Sequence, residues 1–297
     1  MSGGLFSGRL GLAESRIPHA DRHGLLWLER GKLRVENGTL HFNAAKSELL
    51  DAGRYDIPYQ SVSIILLGPG STISHDALRL LARHGTLLAA VGAGGVKFYT
   101  APPMGQGHSD IARAHARLWT DESTRLDTAR RMYAMRFGQI LPHKDITVLR
   151  GIEGGRMKKS YQIIAEEHGV PWHGRHYNRQ NPNAADIPNQ AINHAATFTE
   201  AAADIAVAAV GALPPLGFIH EDSSNAFTLD IADLYRVEFT LPLAFTVAKQ
   251  ALDNPELLLE RALRREAARQ FRKQKLIPRM IDRIKELMDV DDGGSDP

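Results

Sequence analysis

The sequence predicts an α+β protein in which a β-rich first part is followed by a helical second part. Three observations carry that expectation. Short apolar runs separated by turn dipeptides fill the chain up to Tyr99. After Ala101-Pro102-Pro103 the pattern changes to 3.6-residue spacing. The 297 residues also exceed the roughly 100 to 200 of a single core. The expected division is a β-rich domain at 1–100, a linker at 101–109, a helical domain at 110–290 and an acidic disordered tail at 291–297.

In the first part, strand-like runs occur at 25–29, 32–35, 39–42, 64–67, 87–91 and 96–99. Asn37-Gly38 and Gly94-Gly95 both favour positive φ, which predicts hairpins. One helix interrupts the strands: Ser74 can cap a stretch in which Ala77, Leu78, Leu81 and Ala82 share a face, and Gly85 stops it. In the second part, helices are expected at 110–137, 149–168, 187–212, 230–250 and 255–288.

Composition narrows the function. No apolar run approaches the roughly 20 residues that span a bilayer, and the glycine-rich start lacks the basic head and apolar stretch of a secretory signal, so the expected location is cytoplasmic. The absence of cysteine excludes thiolate metal sites and thiol nucleophiles, leaving oxygen and imidazole as metal ligands. No GxSxG, HExxH or GxxxxGK[ST] motif occurs, and Gly92-Ala93-Gly94-Gly95 joins two strands and opens no helix, so it reads as a turn and not a phosphate loop. The net charge of +2 is small, but Arg and Lys recur along the helical part, which favours a polyanion-binding surface.

Three places carry candidate chemistry. Asp230 and Asp233 form an i,i+3 pair expected in the first turn of an apolar helix, where they either flank a divalent cation or cap the helix and favour its dipole. His220 ends Gly217-Phe218-Ile219-His220, ten residues before Asp230, and is either a ligand or a loop histidine bonded to backbone. Glu153 lies between Gly151 and Gly154 where a helix is expected to begin, and alone it reads as a residue favoured by the helix dipole. Together they form a mixed oxygen and nitrogen set suited to Mg²⁺ or Mn²⁺ and to phosphoryl transfer. Arg150, Arg156, Lys158, Lys159 and Arg236 surround the set, and Arg261, Arg264, Arg265, Arg269, Arg272, Lys273 and Lys275 form a basic tract that is either a solvated face or a DNA contact. Tyr161, Trp172, His176 and Tyr177 are either packing anchors or base-stacking groups.

Eight segments, in this order and spacing, give a family resemblance: Gly68-Pro69-Gly70, Ser74-His75, Arg79-Leu80, Gly85-Thr86, Met135-Arg136-Phe137-Gly138, Leu149-Arg150-Gly151-Ile152-Glu153-Gly154, Gly217-Phe218-Ile219-His220 and Asp230-Ile231-Ala232-Asp233. The chain resembles the CRISPR-associated integrase and endonuclease of I-E type spacer-acquisition systems from about residue 16 to residue 288. The resemblance implies an N-terminal β-sandwich-like domain, an all-α catalytic domain, a homodimer, and two such dimers around a small ferredoxin-like partner in a heterohexamer. It implies that Glu153, His220 and Asp233 hold Mg²⁺ or Mn²⁺ with Asp230 beside them as a catalytic residue. DNA 3′ hydroxyls would then attack the CRISPR repeat. It also implies DNA contacts by Arg79, Lys97, Arg150, Tyr177, Arg236, Arg261 and Arg264. The chain departs from the pattern at Arg30, where I-E relatives can place a tyrosine wedge, and at Ser223, where a basic residue is expected.

Two further functions use the same residues. A stand-alone metal-dependent nuclease on branched or single-stranded DNA would use water in place of a DNA hydroxyl. A non-catalytic DNA-binding scaffold would use the carboxylates only as helix caps.

Overall fold

The computed structural model describes residues 24–47, 50–100, 109–143, 145–176, 185–221 and 223–289. Tyr177, the tail at 291–297 and the linker expected at 101–109, except Ser109, lie outside them.

The first part forms two four-stranded sheets. One has the order β1 (Leu25–Leu28), β5 (Ile64–Leu67), β7 (Leu87–Val91) and β8 (Phe98–Thr100), with the first three parallel and β8 antiparallel. The other has the order β4 (Gly53–Asp56), β3 (Thr39–Ala44), β2 (Gly31–Glu36) and β6 (Thr72–Ile73). The central strand β5 is a continuous apolar run, Ile64-Ile65-Leu66-Leu67, because it is covered on both faces. Ile65 points into a small core with Leu28, Leu33, Phe42 and Leu81 of helix α1 (His75–His84). Ile64 and Leu66 point the other way, with Leu87, Ala89 and Val91, into a large core shared with the helices. Strands β4 and β6 escape sequence reading: Gly53-Arg54-Tyr55-Asp56 is mostly exposed and polar, and β6 is two residues long.

The hairpin between β7 and β8 locks the first part onto the second. Gly94 has φ +64°, and a Cβ there would sit 2.1 Å from Cβ of Ala268, so only glycine lets the turn approach helix α8 (Leu259–Lys273). The helical part also contains α2 (Asp110–Thr120), α3 (Glu122–Phe137), α4 (Ile146–Glu167), α5 (Ile187–Val210), α6 (Ala226–Leu234), α7 (Leu241–Asp253) and α9 (Leu276–Leu287). Helix α5 lies at its centre, with Ala195, Phe198, Ala202, Ala206 and Val207 buried. No described helix is long and apolar enough to cross a membrane.

Several helix boundaries differ from those expected. The segment 110–137 is two helices, because Asp121 takes an extended conformation and accepts a hydrogen bond from Thr124 N (2.8 Å) as the cap of α3. The segment 255–288 breaks at Lys275, whose φ of +50° is left-handed. The helix expected to begin at Asp230 begins at Ala226, since Ala226-Phe227-Thr228-Leu229 extends the buried face backward. It ends at Leu234, and a π-helical turn at Arg236–Thr240 leads into α7. Asp230 and Asp233 are therefore interior to α6, and neither caps it. Likewise α4 starts at Ile146 with Asp145 as its cap, so Glu153 is in the third turn and not at a helix start.

Candidate active site

The site forms where α3, α4 and α6 meet beneath the loop that follows α5. That loop is tightly held. His115 of α2 donates from Nε2 to the carbonyl of Leu216 (2.7 Å) and accepts at Nδ1 from Leu213 N (3.2 Å), while Trp119 Nε1 donates to Gly217 O (3.0 Å). Burial lowers the His115 pKa to about 4, with its ring packed against Phe218 and Phe227. A Cβ on Gly217 would fall 2.1 Å from the carbonyl oxygen of His220, so the turn into His220 requires glycine.

Asp230 anchors this turn from below. The carboxylate is 1 % exposed, and its oxygens accept from the backbone N–H groups of Phe218 (2.6 Å), Ile219 (3.0 Å) and His220 (3.0 Å). A fourth bond, 2.7 Å long, joins it to Nδ1 of His220. With Nδ1 carrying the hydrogen toward Asp230, Nε2 is the nitrogen that offers its lone pair when the ring is neutral. The hydrogen bond to Asp230 is the main cause of a raised His220 pKa, with smaller contributions from the charges of Asp233 and Glu153. Arg150 Nη2 donates to the carbonyl of Ile219 and braces the turn from α4.

Glu153 and Asp233 face each other across Arg136. The Nη1 group of this α3 arginine donates to Oε1 of Glu153 and lies 3.4 Å from Oδ2 of Asp233. Tyr133 holds the other Glu153 oxygen with a 3.0 Å hydrogen bond, and Arg236 Nη2 holds the other Asp233 oxygen at 2.7 Å. The Arg136 side chain is 2 % exposed, against 18 % for Glu153 and 13 % for Asp233. Burial, with the Glu153 charge second, pushes the Tyr133 pKa up, so its hydroxyl remains a donor. Among the described residues, no three His, Asp or Glu side chains are gathered to hold a metal as they stand. Two carboxylates are instead gathered on one cationic nitrogen.

Sequence reading missed Tyr133, the position of Arg136 and Glu200. Glu200 lies on α5 near Arg236, Asp233 and His220, and burial pushes its carboxyl up against the opposing pull of Arg236. The alanine-rich composition of α5 hid it, whereas Arg136 stands in the Met135-Arg136-Phe137-Gly138 segment with no local sign of its partners. Among the described residues, Gly151, Gly154 and Gly155 carry no close neighbour within 4 Å of a Cβ, so one flank of α4 beside Glu153 bears no side chain.

The expected DNA contacts are distributed. Arg150 and Arg236 are built into the site. Lys97, Arg264 and Glu260 act electrostatically on His194 of α5, and Arg264 pairs with Glu260. Arg261 is exposed one turn before Arg265 on the outer face of α8, whose inner face buries Leu263, Ala267 and Phe271. Arg79 is exposed on α1 and pairs with Asp76 (3.1 Å). Tyr161 stacks on Trp172 (ring centroids 5.3 Å apart), and Trp172 meets Phe245 edge-on, so these two aromatics pack the helices together. Arg30 takes a left-handed conformation beside Gly70, and Ser223 hydrogen-bonds to Asn225.

The sequence matches the family model for the CRISPR-associated protein Cas1 over residues 25–142 and 134–255. It is 34 % identical to a CRISPR-associated endonuclease Cas1 of Geobacter sulfurreducens over 94 % of this chain and 88 % of that protein. The corresponding protein of Escherichia coli K12 is 34 % identical over 92 % and 87 %. A solved structure of a TtCas1–DNA complex superposes with a TM-score of 0.80 at 32 % identity, covering 91 % of this chain and 98 % of that one.

Proposed function

The chain belongs to the CRISPR-associated Cas1 family, and on that premise we propose that it is a metal-dependent DNA endonuclease and integrase of the I-E type. In this reading it inserts protospacer DNA into a CRISPR array by attack of DNA 3′ hydroxyls on the repeat phosphodiester. The observation that carries the proposal is the convergence of Glu153 of α4 and Asp233 of α6 on one buried cationic nitrogen, beside a histidine whose Nε2 is left free by Asp230.

Glu153, Asp233 and His220 fit Mg²⁺ or Mn²⁺ by donor chemistry: two carboxylates that already share a cation, and one imidazole fixed through its other nitrogen. The bound ion would polarise a phosphoryl oxygen and stabilise the leaving oxygen of an in-line displacement. Asp230 then acts as the positioning residue for His220, because its oxygens are spent on the turn and the imidazole. Arg150 fixes the same turn, and Arg236 orients Asp233. The outward arginines of α8 and Lys97 offer phosphate counter-charge, with affinity that would fall as salt rises. The working assembly in this reading is two homodimers joined by a small ferredoxin-like partner in a heterohexamer.

The test is joining of a labelled protospacer with free 3′ hydroxyls to a plasmid carrying a leader and repeat, with the small partner present, in Mg²⁺ or Mn²⁺ against EDTA. Metal-dependent transfer of label, lost with a 3′-deoxy end and in Glu153→Ala, His220→Ala and Asp233→Ala with DNA binding retained, is the expected result. Cleavage with no joined product would favour a stand-alone nuclease. DNA binding with no metal-dependent reaction would favour a scaffold.

A further inference from the structure

Arg136 is bonded in a way that suits a guanidinium poorly. A guanidinium presents five N–H donors in a planar fork, and carboxylates commonly meet it with two parallel bonds. Here a single nitrogen, Nη1, faces both Glu153 Oε1 and Asp233 Oδ2, while Nε and Nη2 are buried with no hydrogen-bond partner among the described residues. The remaining oxygens of both carboxylates are occupied by Tyr133 and Arg236. The two oxygens that meet Nη1 are therefore aimed at a point and not at a fork. A compact divalent cation, which takes single oxygens from separate carboxylates, matches a point.

We propose that Arg136 is an internal counter-cation that holds the acidic pair together in the metal-free protein and is displaced from it by the divalent ion. The inference rests on the reading of Glu153, His220 and Asp233 as the metal-binding set. Without the guanidinium, two partly buried carboxylates would face each other with only Arg236, on the far oxygen of Asp233, to offset their charge, at a cost in stability. With it, that charge is offset, and a metal ion must replace one cation with another at the same two oxygens. Arg136 thus sets the metal concentration at which the site loads. The partnerless Nε and Nη2 groups favour the exchange, because a guanidinium that withdraws toward water regains bonds it lacks in place.

The test is Mn²⁺ titration of the full chain, following free Mn²⁺ by electron paramagnetic resonance, in wild type, Arg136→Met and Arg136→Lys, with melting temperature read in parallel. Arg136→Met is expected to bind Mn²⁺ about tenfold or more tighter than wild type. It should also melt lower without metal and gain more on metal addition, whereas Arg136→Lys, which keeps a cation, stays near wild type. A folded Arg136→Met that binds Mn²⁺ equally or more weakly overturns the inference while leaving the metal reading intact. Saturable binding by neither wild type nor Arg136→Met removes the metal reading and this inference with it. Binding only by Arg136→Met supports both. Should that variant not fold, the Nε–Hε resonance of Arg136 in ¹⁵N-arginine-labelled wild type, assigned by its loss in Arg136→Lys, decides. A shift that saturates with Mg²⁺ supports displacement, and a resonance unmoved by saturating Mg²⁺ overturns it.

Discussion

The two ends of the site are built by opposite rules. At the Asp230 end every acceptor is used: three backbone N–H groups and one imidazole converge on a fully buried carboxylate. At the Arg136 end, two of the three guanidinium nitrogens are buried with nothing to donate to among the described residues. A saturated polar network fixes one geometry, while an unsaturated one stores a reason to rearrange. The contrast separates two aspartates that lie one helical turn apart on α6. Asp230 belongs to the framework, and Asp233 belongs to the part that, on our proposal, exchanges partners.

Breaking the saturated end should have the largest effect. Asp230→Ala strands three backbone donors and frees the His220 ring, and is expected to cost about 3 to 5 kcal/mol of stability, read as a shifted urea midpoint. A loss under about 1 kcal/mol would mean that the turn is held by His115 and Trp119 instead.

The next largest effect is set by pH. His115 has a folded pKa of about 4, below the ordinary value of 6.5, so the unfolded chain takes up the proton first. Its contribution is complete above pH 6.5 and is lost as the pH falls toward 4, about 3 kcal/mol in all. Chemical denaturation across that window should show the slope, and His115→Gln should flatten it.

At the unsaturated end the effects on stability shrink while those on chemistry grow. Asp233→Ala is expected to cost only about 1 to 2 kcal/mol, because Arg136 keeps Glu153 and Arg236 is part-exposed, yet strand transfer should vanish. A stability loss equal to that of Asp230→Ala would erase the distinction between the two aspartates. The smallest change is Tyr133→Phe, which removes one hydrogen bond to Glu153 and should cost about 1 kcal/mol in thermal denaturation while leaving DNA binding intact.

The same contrast explains what the sequence discloses. The i,i+3 aspartates, the Gly217-Phe218-Ile219-His220 turn and Glu153 each sit in a local pattern that marks a candidate, but singly each reads as well as a helix cap, a loop histidine or a dipole-favoured residue, and it is the family resemblance that joins them. Arg136 and Tyr133 carry no such mark, since their meaning depends on partners 17 to 97 residues away. Helix identity was legible from apolar periodicity, but helix ends were not. Asp121 and Lys275 break helices without glycine or proline, and the apolar residues before Asp230 shift that helix start four positions earlier than the acidic pair suggests. The sheet order was not legible either, because the parallel pairing of β1, β5 and β7 joins runs separated by a helix and by more than 30 residues.

Strand β5 has one more consequence. Its side chains alternate between the two hydrophobic interiors, so neither interior can come apart without stripping one face of the same strand. Losing the helical part would uncover Ile64, Leu66, Leu87, Ala89 and Val91 together, a water-exposed apolar wall that a four-stranded sheet could not sustain alone. The chain should therefore melt in a single cooperative transition, and a strain applied at the helices of the second part would be felt, through one shared strand, at the far sheet.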